Sequence, residues 1–216
     1  MHRGSCGHYF FMTESHSAES GGAEGLRGAS GAPDALPFDA VLFDRDGTLV
    51  VDVPYNTDPR RVAPMPTAVA TVRRLREADV LVGVVTNQSG VGRGLITAEQ
   101  LRAVHAAIDD AIGPFDVWEV CPHAPGAGCE CRKPQPGLIL SAMARLGVEP
   151  SRTLVIGDIG SDLDAATAAG ASAVLVPNAA TRSEEVDAAA FVAPDLASAV
   201  ELAFTGHLFE TAGASR

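Results

Sequence analysis

From Phe38 onward the chain alternates short apolar runs rich in Val, Leu and Ile with longer stretches of helical period, and this alternation restricts the fold more than any other feature. Runs at 40–43, 80–85, 117–120, 153–156 and 173–176 read as strands, with a weaker one at 191–193. Stretches 66–78, 97–112, 137–146, 161–169 and 196–204 read as helices. Apolar, β-branched strands separated by helices have both faces covered and pair in parallel, so the expected class is α/β with a doubly wound parallel sheet. Such sheets take ligands at the carboxyl ends of their strands. Polar residues fall at those ends: Asp44 after the first strand, Thr86 after the second, Cys121 after the third and Asp158 after the fourth.

Residues 1–36 are rich in Gly, Ser and Ala without an apolar period and cannot bury enough surface to offset their ordering entropy. They are expected to be a disordered arm, with 37–205 the folded domain and 206–216 a flexible tail. Met12 is a candidate start, and Cys6 receives no role. The Pro- and Asp-rich segment 50–63 is expected to be a loop or small hairpin flap over the ligand side. A net charge of -11 argues against nucleic acid or an anionic membrane as partner, leaving a small molecule. No apolar run reaches the roughly 18–20 residues of a membrane span, and the N-terminus lacks a hydrophobic signal core. A cytoplasmic monomer is expected.

The first strand ends in Asp44 and Asp46, which point to the same side of an extended chain and can address one group. Asp44 could attack phosphorus, while Asp46 could protonate the leaving oxygen and later activate water. The bland alternative is an Asp-Gly turn with a side-chain cap. At 155–162 a strand, a glycine and two acids recur. Oxygen ligands from Asp44, Asp158 and the main-chain carbonyl of Asp46 would suit Mg²⁺. Asp162 either supports that metal, pairs with a lysine or caps the next helix. Thr86, Asn87, Gln88 and Ser89 could hold phosphate oxygens or form an ordinary loop. Lys133 could neutralise charge developing on phosphorus. Cys121, His123, Cys129 and Cys131 form two ligand-x-ligand pairs across a Gly/Pro loop, which suits a four-coordinate structural Zn²⁺, a redox pair and incidental cysteines being the alternatives. His105 reads as an ordinary helix residue, Trp118 and Met143 as core. Gly92-Arg93-Gly94 is either a loop closing over an anion or plain exposed chain.

In order, Asp44-x-Asp46-Gly47-Thr48, Thr86-Asn87-Gln88-Ser89-Gly90, Lys133-Pro134 and Gly157-Asp158 with Asp162 resemble the haloacid dehalogenase-like (HAD) phosphatases over residues 38–200. The zinc loop and its Cys-Arg-Lys-Pro exit resemble the subfamily acting on heptose bisphosphates and histidinol phosphate. The resemblance implies a Rossmann-like HAD fold with a minimal cap. It also implies Asp44 as nucleophile, Asp46 as acid/base, Thr86 and Lys133 as phosphate stabilisers, and Asp44, Asp46 and Asp158 as Mg²⁺ ligands. Asp52, Tyr55, Asn87, Gln88, Ser89 and Arg132 are implied substrate contacts. The implied reaction removes the C7 phosphate of a heptose bisphosphate through an aspartyl-phosphate. The short interval from His123 to Cys129, and Ile159 in place of a basic residue, keep histidinol phosphate as the alternative substrate. A non-catalytic zinc-stabilised binding module is a further alternative, opposed by the intact Asp44, Asp46, Lys133 and Asp158.

Overall fold

In the computed structural model, which describes residues 37–205, strand β1 (Ala40–Phe43) is buried at every position and lies at the centre of a five-stranded sheet. The expected arm with Met12 and Cys6 and the expected tail lie outside the described residues. The chain continues through α1 (Ala68–Glu77), β2 (Leu81–Asn87), the single turn α2 (Ser89–Gly92), α3 (Ala98–Ala111), β3 (Val117–Cys121) and α4 (Gly137–Leu146). It then forms β4 (Thr153–Gly157), α5 (Gly160–Ala169), β5 (Ser172–Leu175), α6 (Ser183–Ala188) and α7 (Leu196–Phe204). The strand order is β3-β2-β1-β4-β5 and every pair is parallel. The chain therefore builds outward from β1 to β3, then crosses back to add β4 and β5. This reversal opens a crevice beyond the ends of β1 and β4, where such folds bind ligands.

The period-two alternation of the strands sorts the core into two layers. Val41, Phe43, Val82, Val84, Leu154 and Ile156 pack on one face with residues of α1, α3 and α7. Leu42, Val85, Val117 and Val155 pack on the other with α4 and α5. Each fully buried Leu, Ile or Phe contributes about 1.5–3 kcal/mol, so the apolar central strands anchor the edge from which the site projects. Register sets the level of that edge: Phe43 lies opposite both Val84 and Ile156, so Asp44 and Asp158 leave the sheet within a residue of one another.

Besides shifts of a residue or two at element ends and the unexpected turn α2, the structure departs from the sequence reading as follows. Residues 191–193 form no strand but a single bridge, Val192 to Leu175, flanked by backbone hydrogen bonds of 2.9 Å. The first helix begins at Ala68 instead of residue 66, because Thr67 adopts a left-handed conformation at φ 67°. Helix α6 was not expected, since it buries no residue and so carries no apolar period to read. The flap is irregular, as expected, with its base closed by the antiparallel bridge Val50 to Pro64 and a Val51 N–H donated to the Ala63 carbonyl at 2.9 Å. No helix among the described residues is long and apolar enough to cross a membrane.

Candidate active site

The carboxyl ends of β1, β2 and β4 open into a cleft of about 500 Å³ lined by Asp44, Asp46, Asp52, Tyr55, Thr86, Asn87, Gln88, Ser89, Arg132, Lys133 and Asp158. All the residues expected to serve catalysis, substrate or magnesium thus meet in one place, drawn from β1, the flap, β2, the loop before α4, and β4.

Lys133 sits at the floor with its side chain only 2% exposed. Its ammonium donates to Asp44 Oδ1 at 2.5 Å and to the Val85 carbonyl at 2.8 Å, and pairs with Asp162 Oδ1 at 2.7 Å. Burial would depress its pKa, but the charges of Asp162 and Asp44 outweigh that and hold it above the ordinary lysine range. Carboxylate oxygens of Asp44, Asp158 and Asp162 lie within 4.8 Å of one another. One ammonium does not balance three acids. Burial, against the pull of Lys133, and the neighbouring charges of Asp162, Asp158 and Asp46 push Asp44 up to about 8. Burial and Asp162 push Asp158 up to about 6, despite hydrogen bonds from Asn178 and Thr48. A site that holds excess negative charge on hard oxygens, at this cost to ionisation, fits a divalent cation such as Mg²⁺.

Gly47 makes the close approach possible: it turns the chain at φ +83°, and a Cβ there would lie 2.5 Å from Asp158 Oδ2. The bland turn reading of this motif is therefore correct for the backbone, yet the carboxylates do other work. Asp46 receives Arg45 Nη2 and Gln88 Nε2 on Oδ2, at 2.7 and 2.8 Å. The same Gln88 nitrogen donates to Thr86 Oγ1 at 2.9 Å, tying the end of β2 to the end of β1. Asn87 uses both ends of its amide on the backbone of Lys133, at 3.1 and 3.2 Å, and so fixes the lysine loop against β2. Tyr55 in the flap accepts from Arg93 at 2.9 Å, which joins the Gly-Arg-Gly turn to the flap. Arg132 donates to the His123 carbonyl at 3.3 Å. Asp162 combines two of its anticipated roles, pairing with Lys133 and accepting from the Ile159 N–H at the start of α5 at 3.3 Å.

Beside the cleft, ligand atoms of Cys121, His123, Cys129 and Cys131 also gather within 4.8 Å of one another. The Cys121 sulfur lies 3.4 Å from that of Cys131 and 3.8 Å from that of Cys129, while His123 Nδ1 lies 3.2 and 3.5 Å from Cys131 and Cys121. A disulfide would need about 2.05 Å. Ligands about 2.3 Å (S) and 2.0 Å (N) from a tetrahedral ion stand about 3.5–3.8 Å apart, which these separations approach. The set fits structural zinc rather than a redox pair. The loop leads directly into Arg132 and Lys133.

Three supporting residues escaped the sequence reading, and a fourth, Thr48, entered it only as a motif residue without a role. Asn178, in the loop after β5, donates to Asp158 Oδ2 at 2.8 Å and to the Gly47 carbonyl at 3.1 Å. Thr181 holds the Asp158 carbonyl at 2.7 Å, and Thr48 holds Asp158 Oδ1 at 3.1 Å. Arg45, between the two acids of β1, is buried to 2% exposure. Its position gave a signal: a cation directly after a wholly apolar strand, between two carboxylates, is a candidate for burial with them.

Phosphoryl transfer is the chemistry that an acid pair, an embedded lysine and a cation site at a sheet switch point can perform. A HAD-hydrolase-like family model matches residues 130–199. The D-glycero-beta-D-manno-heptose-1,7-bisphosphate 7-phosphatase of Pseudomonas aeruginosa is 36% identical over 141 residues, 63% of this chain and 79% of that protein. The alpha-anomer counterpart from Mycobacterium tuberculosis is 36% identical over 144 residues, 62% and 76% of the two chains. The chain belongs to the HAD-like phosphatases, enzymes that hydrolyse phosphoric monoesters. Its fold is also that of a D,D-heptose 1,7-bisphosphate phosphatase from B. bronchiseptica, solved with magnesium and phosphate: TM-score 0.69 and 32% identity over 76% of this chain and 97% of that one.

Proposed function

We propose that this protein removes the C7 phosphate of D-glycero-D-manno-heptose 1,7-bisphosphate in a magnesium-dependent reaction that passes through an aspartyl-phosphate on Asp44. The observation that carries the reading is the meeting of Asp44, Asp158 and Asp162 within 4.8 Å around Lys133, at the base of an open cleft. The names and identities of the relatives supply the substrate class.

Lys133 holds Asp44 Oδ1, so Oδ2 attacks phosphorus as the bond to the sugar oxygen breaks. Asp46 gives its proton to that oxygen. In the second half Asp46 takes a proton from the water that attacks phosphorus, the bond to Asp44 breaks, and inorganic phosphate leaves. Thr86 and Lys133 receive the phosphate oxygens, and Asp52, Tyr55, Gln88, Ser89 and Arg132 line the cleft where the sugar and its remaining phosphate lie. Asp44, Asp158 and the Asp46 carbonyl would hold Mg²⁺, which when bound screens the attacking carboxylate from the anionic phosphate. Zn²⁺ on the cysteine loop would be structural, since its four protein ligands leave no place for water. A cytoplasmic monomer completes the reading, since phosphorylated sugars do not cross membranes unaided.

Steady-state turnover of the two heptose bisphosphate anomers, other sugar bisphosphates and histidinol phosphate tests the assignment. The heptose compounds should give the highest kcat/KM. Preference for histidinol phosphate, or equally poor turnover of the whole panel, overturns it. Asp44→Asn should abolish turnover and leave the fold intact.

A further inference from the structure

Arg45 is an unusual residue to bury. Removing a guanidinium from water costs several kcal/mol unless its donors are matched by acceptors, and a point charge would suffice merely to balance Asp46. The five N–H donors of the guanidinium instead form a planar fork. Nη2 donates to Asp46 Oδ2 at 2.7 Å, and Nε lies 3.0 Å from both carboxylate oxygens. Nη1 turns away to His105 Nε2 at 3.3 Å. Arginine has no acceptor, so Nε2 must accept and the imidazole proton must sit on Nδ1. Burial and the cation of Arg45 keep that ring neutral by pushing its pKa well below the ordinary value. His105 in turn lies on Trp118, ring centroids 4.0 Å apart and planes 18° from parallel, and the Trp118 indole N–H is tied to Asp109 at 3.3 Å.

We propose that Arg45, seated on the His105–Trp118 stack, is the positioning residue for proton transfer by Asp46. This rests on the acid/base role of Asp46 given above. Oδ2 takes N–H groups from Arg45 Nη2, Arg45 Nε and Gln88 Nε2, whereas Oδ1, among the described residues, takes only Arg45 Nε. Oδ1 is therefore the oxygen that carries the proton. As the phosphorus–oxygen bond breaks, its electron pair passes to the leaving oxygen, which takes the proton from Oδ1. The fork prevents the carboxyl from rotating during the exchange.

The test compares an alkyl ester, the heptose bisphosphate, with p-nitrophenyl phosphate, whose leaving group needs little protonation. General acid catalysis is worth about 10²–10⁴-fold, so Asp46→Asn should lose about that much kcat on the alkyl ester and far less on the aryl one. Arg45→Met should lose about 10²-fold on the alkyl ester and less than about 5-fold on the aryl ester, with no further loss when combined with Asp46→Asn. Equal losses on both esters, or losses that multiply in the double variant, overturn the proposal. Should Arg45→Met not fold, His105→Phe keeps the stack but removes the acceptor. A selective loss on the alkyl ester of about 5-fold or more supports the proposal, and an unselective or absent loss overturns it. An Asp46→Asn variant that loses both esters equally would overturn the acid/base reading itself, a separate result.

Discussion

Lys133→Met would take the ammonium away from Asp44, Asp162 and the Val85 carbonyl, at 2.5, 2.7 and 2.8 Å, while nearly keeping side-chain volume. Breaking a buried ion pair from one side costs about 3–5 kcal/mol, because the partner charge stays buried without compensation. Here two carboxylates lose the same cation, so above about pH 8, where Asp44 is ionised, the cost should reach about 5 kcal/mol, or a fall in Tm of about 10–20 °C for a folded unit of this size. The deficit should depend on pH, with a definite sign. Asp44 already lies at about 8 against an ordinary 3.8, raised by burial against the pull of Lys133. An acid whose folded pKa exceeds its unfolded value carries no penalty below the unfolded value, and the penalty grows as pH climbs toward the folded one. Without Lys133 that pKa rises further, so the two proteins should diverge as pH climbs past about 8, where the parent protein ionises Asp44 and the variant holds the proton. Thermal unfolding of both proteins near pH 7 and near pH 9, without added magnesium, measures this: the Tm difference should be larger at the higher pH. An equal deficit at both pH values, or one under about 1 kcal/mol, would refute the electrostatic account of the site.

Asp158 and Asp44, raised to about 6 and about 8, bind protons that a cation must displace. Half-saturating magnesium should accordingly rise steeply between about pH 8 and pH 6, with proton release on binding detectable by calorimetry in buffers of different ionisation heat; a flat profile contradicts the raised values. Gly47→Ala puts a Cβ 2.5 Å from Asp158 Oδ2 and 2.7 Å from Asn178 Nδ2 at a positive φ. It should cost about 1–3 kcal/mol of stability and weaken magnesium binding, and unchanged affinity would mean that the turn does not set Asp158. Cys131→Ser should lower zinc, measured by metal analysis, from near one per chain to well under half, and lower turnover with it, because Lys133 leaves the same loop; full activity without zinc would uncouple loop from site.

The sheet and the convergence of its tips were legible because burial on both faces is a local signal, and parallel strands send their carboxyl ends to one edge. Asp44, Thr86, Lys133 and Asp158 could thus be brought together from motifs alone. The supporting shell was less legible. Asn178 and Thr181 come from a loop of ordinary composition, and their partner Asp158 lies at the end of another strand. Asn87, expected as a substrate contact, lines the cleft and also commits its amide to the Lys133 backbone, a contact that depends on how the zinc loop folds back. His105 illustrates a signal that was present: it shares the buried stripe of α3 with Leu101, Val104 and Ile108, so burial could have been read from spacing. Its contact with Arg45, 60 residues earlier, could not.

Trp118 is the only tryptophan in the chain, and it lies flat against the imidazole that touches the guanidinium holding Asp46. Indole emission responds to the ring it stacks on. The protein therefore carries a built-in optical gauge at the proton-transfer end of its cleft, without labelling, in which a shift of the Asp46 carboxylate during a single turnover would be registered as a change in brightness.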